Sequence, residues 1–488
     1  MQNSGSQLPA SDENSASRSR WPWLLAIPCV LIILVAIFLP RPNANSPATP
    51  PLTNGPWSAT GPNSPGERSG RVPHVHSPGG PAPTAEEIVA DKVSQFGRSR
   101  REIARAIGRR IKKEVPSEVE KFFDAVESGR WEEIDAQFKV LATHSGQYEY
   151  STNHWPELNP FWPAVLDAYG PAEAAYLWPA QKLLDYGNAA LDSLRPGMVY
   201  VGGTDPGRFI PTLLNETSDG ERHIILTQNA LADGRYLDYL KELYGDRMAT
   251  LSSEDSQRGF QDYLADAQKR FQHDQQFPDE PKQIRPGEDI KINEGRVQVS
   301  GQVAVMAINE ILLQTLMQKN PDLSFAVQES LPMKGTYADA APLGPLMELR
   351  AQDGPNAFTA DRAAQTLDYW RTTTQQVLSD PVASGSTEAL KSYAHDAQAA
   401  ANLLAAHGFN TEAEQAYRLA LEIYPANADI ASRLAKLFAN TGRADEGRQL
   451  VEDFGRRYPN ERTSDEEFRG SILFTTRSDA KKEGGQPP

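Results

Sequence analysis

The strongest pattern along the chain is an unbroken apolar run near its start. Residues 21–39 read WPWLLAIPCVLIILVAIFL, with no charged side chain. A helix over 21–40 at about 1.5 Å per residue would cross the roughly 30 Å core of a bilayer. Trp21 and Trp23 stand at one end, where indoles favour the interface, and Pro28 is tolerated in a spanning helix. A cleaved signal peptide is the competing reading, with Arg18 and Arg20 as its basic start. The length of the run, and Pro47 directly after Ala44, Asn45 and Ser46, favour an uncleaved anchor. Residues 41–84 have no apolar period. Their 11 prolines and 6 glycines predict an extended, unfolded linker.

A helical period begins at Thr84, where Thr84 and Glu87 form a capping box. Ile103, Ile107 and Ile111 lay an apolar stripe on that helix. Residues 117–127 (Phe122, Phe123, Val126) and 131–141 (Trp131, Ile134, Phe138, Leu141) predict two more helices, parted by Gly129. From 148 to 178 the pattern breaks into aromatics beside prolines, Trp155, Trp162 and Trp178 among them, which predicts an irregular lobe. Packing is the plain reading of those rings; stacking on sugar or proline-rich peptide is the functional one.

At residue 198 the period changes. Short β-branched runs at 198–201, 223–227, 297–299, 323–327 and 346–349 alternate with helical stretches at 210–215, 233–244, 252–277 and 303–317. Such alternation predicts an α/β domain over 196–355 with a mainly parallel sheet. A further helix is expected at 360–378. After it, Gly408 and Gly442 stand 34 residues apart, as do Pro425 and Pro459. Ala413, Tyr417 and Ala420 supply the small–large–small spacing between them. These residues resemble tetratricopeptide repeats, which implies paired helices over 356–470 and a groove for a protein or peptide partner. The other reading is that the helices only cap the α/β domain.

The run MVYVGGTDPGRFIPTLLNE at 198–216, then RHIILTQNALADGRYLDYLKELYG at 222–245, carries a second resemblance. With the stretch at 319–350 it resembles the extramembrane tail of an uncharacterised family of bacterial multi-spanning membrane proteins. That family is distantly related to protein O-mannosyltransferases. The turn here is one residue longer, and the many spans that would carry glycosyl transfer are missing. The resemblance therefore implies a shared ectodomain in cell-envelope work, not a transferase.

Composition narrows the chemistry. The chain has 488 residues, a formal charge of -15 and one cysteine, Cys29, inside the apolar run. An acidic balance argues against nucleic acid as a partner. One cysteine excludes a disulfide framework, and no spacing of His, Asp or Glu suggests a metal site. No cofactor motif and no catalytic triad is present, so no catalytic residue is assigned and binding is favoured over catalysis. Residues 86–115 are locally basic, with a net charge of +4. That predicts contact of residues 92–113 with anionic lipid, against the plainer reading of a solvated helix face.

In an α/β sheet, ligands sit where loops leave the carboxyl ends of strands. The candidate ligand residues are therefore Gly202, Gly203, Thr204, Asp205 and Arg208, with Asn229 and Asp233 on the neighbouring strand end. Asp205 could hold a hydroxyl and Arg208 a phosphate or carboxylate. A tight structural turn is the alternative. The whole chain thus reads as a single-pass membrane protein with a cytoplasmic tail (1–20), an anchor (21–40), a linker (41–84) and a periplasmic or extracytoplasmic remainder. That remainder comprises a helical lobe (85–195), the α/β domain, the repeats and a disordered tail (471–488). The expected function is an interaction or scaffold protein of the cell envelope. The alternative is a glycan-related enzyme or sugar-binding accessory protein using the 202–209 loop.

Overall fold

The computed structural model describes residues 82–146, 152–285, 287–293, 296–349, 358–459 and 461. The expected anchor, nearly all of the linker, the cytoplasmic tail and the residues after 461 lie outside the described residues. Among the described residues no helix is long and apolar enough to cross a membrane.

The capping box at Thr84 opens α1 (Ala85–Ile111), a helix of 27 residues. It packs on α2 (Ser117–Ser128), α4 (Trp162–Leu177) and α5 (Ala180–Asp192), with α3 (Trp131–His144) beside α2. The buried stripe of α1 is Val89, Val93, Phe96, Arg100, Ala104 and Ile107. Of the three isoleucines expected to form it, Ile107 is buried, while Ile103 and Ile111 are only partly so. The aromatic stretch is not irregular throughout. Trp162–Leu177 is a regular helix with Pro163 in its first turn, where a missing N–H costs nothing. Its rings pack in the protein: Phe138 stacks on Tyr169 at 3.6 Å, and Trp131 on Tyr176 at 4.7 Å.

Strands β1 (Val199–Gly202), β2 (Ile224–Thr227), β5 (Phe325–Val327), β6 (Ala341–Leu343) and β7 (Leu346–Leu349) form one sheet in the order β2-β1-β5-β7-β6. β1 is parallel to β2 and β5, but β7 is antiparallel to both β5 and β6. The sheet is therefore mixed rather than mainly parallel. The reason is the connection. α6 (Pro206–Glu216) crosses over from β1 to β2, and α7 (Gly234–Tyr244), α8 (Ser253–Gln276) and α9 (Gln302–Lys319) lie between β2 and β5. No crossover helix follows β5, only a 3-10 turn (Lys334–Asp339) and a tight hairpin at Gly344, whose φ is 58°. The stretch at 297–299 lies outside this sheet. It belongs to β4 (Arg296–Ser300), which pairs with β3 (Asp289–Asn293) as a separate hairpin.

Both faces of the sheet are covered, so its strands are continuous apolar runs rather than alternating ones. Val199, Val201 and Phe325 face the main core, while Met198, Tyr200 and Ala326 pack beneath Ala190 and Leu194.

After α10 (Ala360–Ser379) and the short α11 (Pro381–Ser384) come two helical hairpins. These are α12 (Thr387–Ala406) with α13 (Asn410–Ile423), and α14 (Ala428–Asn440) with α15 (Ala444–Arg457). Gly408 and Gly442 turn them, both at φ 81°. Phe409 N donates to Leu404 O, and Arg443 N to Phe438 O. The turn thus repeats residue for residue after 34 positions. A single apolar cluster runs from Val89 to Phe438 and joins lobe, sheet and hairpins.

The positive charge of α1 is largely answered within the protein. Arg101 pairs with Glu120, Asp124 and Glu127; Arg105 with Glu102 and Glu120; Arg110 with Glu242. Arg109, Lys112 and Lys113 stay exposed at the C-terminal end of the helix.

Candidate functional site

The loop after β1 is built by close backbone approach. Val201 O accepts from Gln328 N at 2.8 Å, and Gly202 O from Gln228 N at 2.6 Å, so the three parallel strands end together. Gly203 N donates to Ser330 Oγ at 2.7 Å. A Cβ on Gly203 would overlap Ser330, so no larger residue fits there. Asp205 then caps α6 with extended backbone and no side-chain capping bond, which leaves its carboxylate available.

Arg208 does not face a ligand. It is buried, donates from Nε to Gly203 O at 2.6 Å, and pairs through Nη1 with Asp167 Oδ1 at 2.7 Å. Asp167 on α4 also takes Arg100 Nε and Tyr239 Oη, each at 2.7 Å. Burial alone would raise the Asp167 carboxyl, but the guanidiniums of Arg100 and Arg208 outweigh it and hold it at about 2. The expected pairing of Arg208 with a phosphate or carboxylate is thus replaced by a structural one: Arg208 pins the loop to the helical lobe. Asp233 is likewise committed, accepting from Arg235 N as the cap of α7 and pairing with the Arg235 guanidinium. Asn229 reaches Thr204 Oγ1 at 3.4 Å from the neighbouring strand end.

The hairpins meet both the helical lobe and the α/β domain on the inner face of α12. Asp396 accepts from Tyr186 Oη at 2.7 Å and from Gln328 Nε2 at 2.8 Å. Asn402 donates to Glu329 at 2.8 Å, and His407 Nε2 lies 2.7 Å from Tyr337 O. This part of the helix face is therefore occupied by the protein itself. Its N-terminal part is not. Between it and the loop lies a cleft of about 570 Å³.

The loop contributes Thr204 and Asp205 to the cleft, and the first turn of α6 adds Pro206, Gly207 and Phe209. The hairpins add Lys391, Ser392 and His395 from α12, and Tyr424 with residues 426–429 around the start of α14. Glu173 and Trp178 come from the helical lobe. Thus Thr204 and Asp205 line the cleft, Gly202 and Gly203 shape the backbone behind it, and Asn229 supports Thr204 from outside. Two buried polar atoms of the lining find no partner among the described residues: Asp205 Oδ1 and Trp178 Nε1. Burial pushes the Glu173 carboxyl up to about 7, and that of Asp396 below the cleft to about 6.

Sequence reasoning missed Glu173, Lys391, Ser392 and His395. No local signal marked the last two: the face of α12 that carries them also carries Glu388, Lys391 and Gln398 and reads as an ordinary polar face. Among the described residues, no group of His, Asp and Glu is placed to hold a metal ion. No family model, curated protein or solved structure matches the chain.

Proposed function

We propose that this chain is a membrane-tethered extracytoplasmic binding module of the cell envelope, and that its ligand sits in the cleft between the β1–α6 loop and α12. The observation that carries this reading is convergence. The strand-end loop and the repeat-like helices, each marked separately by the sequence, line one cleft that holds unpartnered buried polar atoms. A loop serving only as a turn would have no need of an unpaired carboxylate oxygen, since such an atom costs about 1–3 kcal/mol when left unsatisfied. The resemblance to the ectodomains of O-mannosyltransferase relatives is compatible with envelope work, and the tether of 21–84 would hold the folded body off the bilayer. The repeat-like helices take part by closing one wall of the cleft.

The folded part is free of native cysteine, which makes a direct test simple. Full-length protein carrying Ser392→Cys is labelled with a bulky, membrane-impermeant maleimide in intact cells. The reading expects labelling there to abolish retention of an envelope component that co-purifies with the unlabelled protein. Labelling at the exposed Ser379→Cys should leave retention intact. Equal retention after both labels would overturn the assignment of the cleft.

A further inference from the structure

Resting on that reading, we infer that the cleft recognises an uncharged, polyhydroxylated ligand, a saccharide of about one to three units. The charges of its walls are answered inside the protein except at Asp205 and at the exposed Glu461 on the rim. Lys391 lies 3.3 Å from Glu388, and Asp429 pairs with Arg433 at 2.8 Å and accepts from Gln398 at 2.6 Å. Asp205 stands at the N-terminus of α6 and Asp429 at that of α14, where the helix dipole offsets negative charge. With Lys391 already engaged and Arg208 turned inward, the lining offers no uncommitted Lys or Arg among the described residues to a phosphate or carboxylate.

What remains unsatisfied is one donor and one acceptor. Trp178 is only 4% exposed, and its indole N–H has no acceptor; Asp205 Oδ1 has no donor. An ammonium group would satisfy Asp205 but leave the indole orphaned, and an apolar ligand would satisfy neither. A hydroxyl both donates and accepts, so neighbouring hydroxyls on one ring meet both needs. Of the rings on the cleft, Trp178, Tyr186 and Phe209 are buried and Tyr424 is half-buried, so Tyr424 is the one that can cover the C–H face of a pyranose. Its 570 Å³ falls within the roughly 300–1,000 Å³ common to small-molecule sites.

The test uses full-length protein in a detergent without a sugar headgroup. Cellobiose, mannobiose and N,N′-diacetylchitobiose are titrated calorimetrically, with trilysine and inorganic phosphate as charged controls. At least one disaccharide should bind and the controls should not. Trp178→Phe keeps the ring but removes the N–H, and Asp205→Asn keeps the shape but alters the acceptor. Each should weaken binding about tenfold, the size of one lost hydrogen bond. Gly442→Ala, remote from the lining, should leave affinity unchanged. No binding of any disaccharide, binding of trilysine or phosphate instead, or sugar binding untouched by both lining variants would each overturn the inference. If the Ser392 label still blocks retention while no sugar binds, the binding module stands and the saccharide class falls.

Discussion

Asp167 is the residue on which the site's geometry turns. It joins Arg100 of the first helix, Arg208 of the loop and Tyr239 of α7 in one buried cluster. Removing its charge would leave Arg208 buried without a counter-ion and Arg100 with only Glu216, 3.5 Å away. Breaking such a pair from one side costs about 3–5 kcal/mol. Asp167→Asn should therefore lower the unfolding free energy in urea by about that amount, and a loss below 1 kcal/mol would show that the cluster is not what fixes the loop. The sign with pH is also set. The folded carboxyl lies at about 2, below its ordinary value of about 3.9. Its stabilisation is thus full above pH 4 and is lost as pH falls through 2. Nothing in the local sequence around Asp167 announced this role. Its partners lie 67, 41 and 72 residues away, and the pairing is visible only once α4 is seen against the sheet.

At the scale of elements, the hairpin turns carry the clearest prediction. Gly408 and Gly442 sit at φ 81° with nothing near the position a Cβ would take. Alanine there meets only the backbone cost of the left-handed region, about 1–2 kcal/mol. Gly408→Ala should lower stability by that much in chemical denaturation, and Gly408→Asn by less, because asparagine tolerates the conformation. Equal losses would show that the turn's backbone is not the cause. Gly447 differs: an added Cβ would stand 2.7 Å from Ala435 O, so the two helices of the second hairpin would have to part. These turns were legible in the sequence because a 34-residue spacing is local and repeats. The strand runs at 198–201 and 223–227 were legible for the same reason, as apolar segments ended by turn residues. The direction of β7 and the hairpin of β3 and β4 were not. Strand direction depends on what connects the strands, and β5 to β7 is spanned by a 3-10 turn that leaves no apolar period to read. Of the site, Thr204 and Asp205 were legible from the strand-end rule, whereas Arg208 was misjudged because an arginine's partner cannot be read from its neighbours.

The whole molecule behaves as one packed body across the described residues, with the cleft at the meeting of its three parts. Placing Glu173 and Asp396 at that seam has a consequence for stability. Burial raises both carboxyls, to about 7 and about 6, so the folded state holds protons that the unfolded chain has already released. Stability should therefore fall as pH rises from about 4 to about 7. Glu173→Gln and Asp396→Asn should each flatten that slope in urea titrations at several pH values, and a slope unchanged in both variants would contradict the burial of these groups.

On the proposed function, two stretches nearly two hundred residues apart act as one binding surface. Hydrogen exchange on the full-length chain, with and without its envelope ligand fraction, tests this most directly. Peptides covering 203–209 and 388–396 should gain protection together, and both gains should vanish in the Ser392-labelled protein. Protection of one stretch without the other, or protection confined to the outer helices α13 and α15, would contradict it.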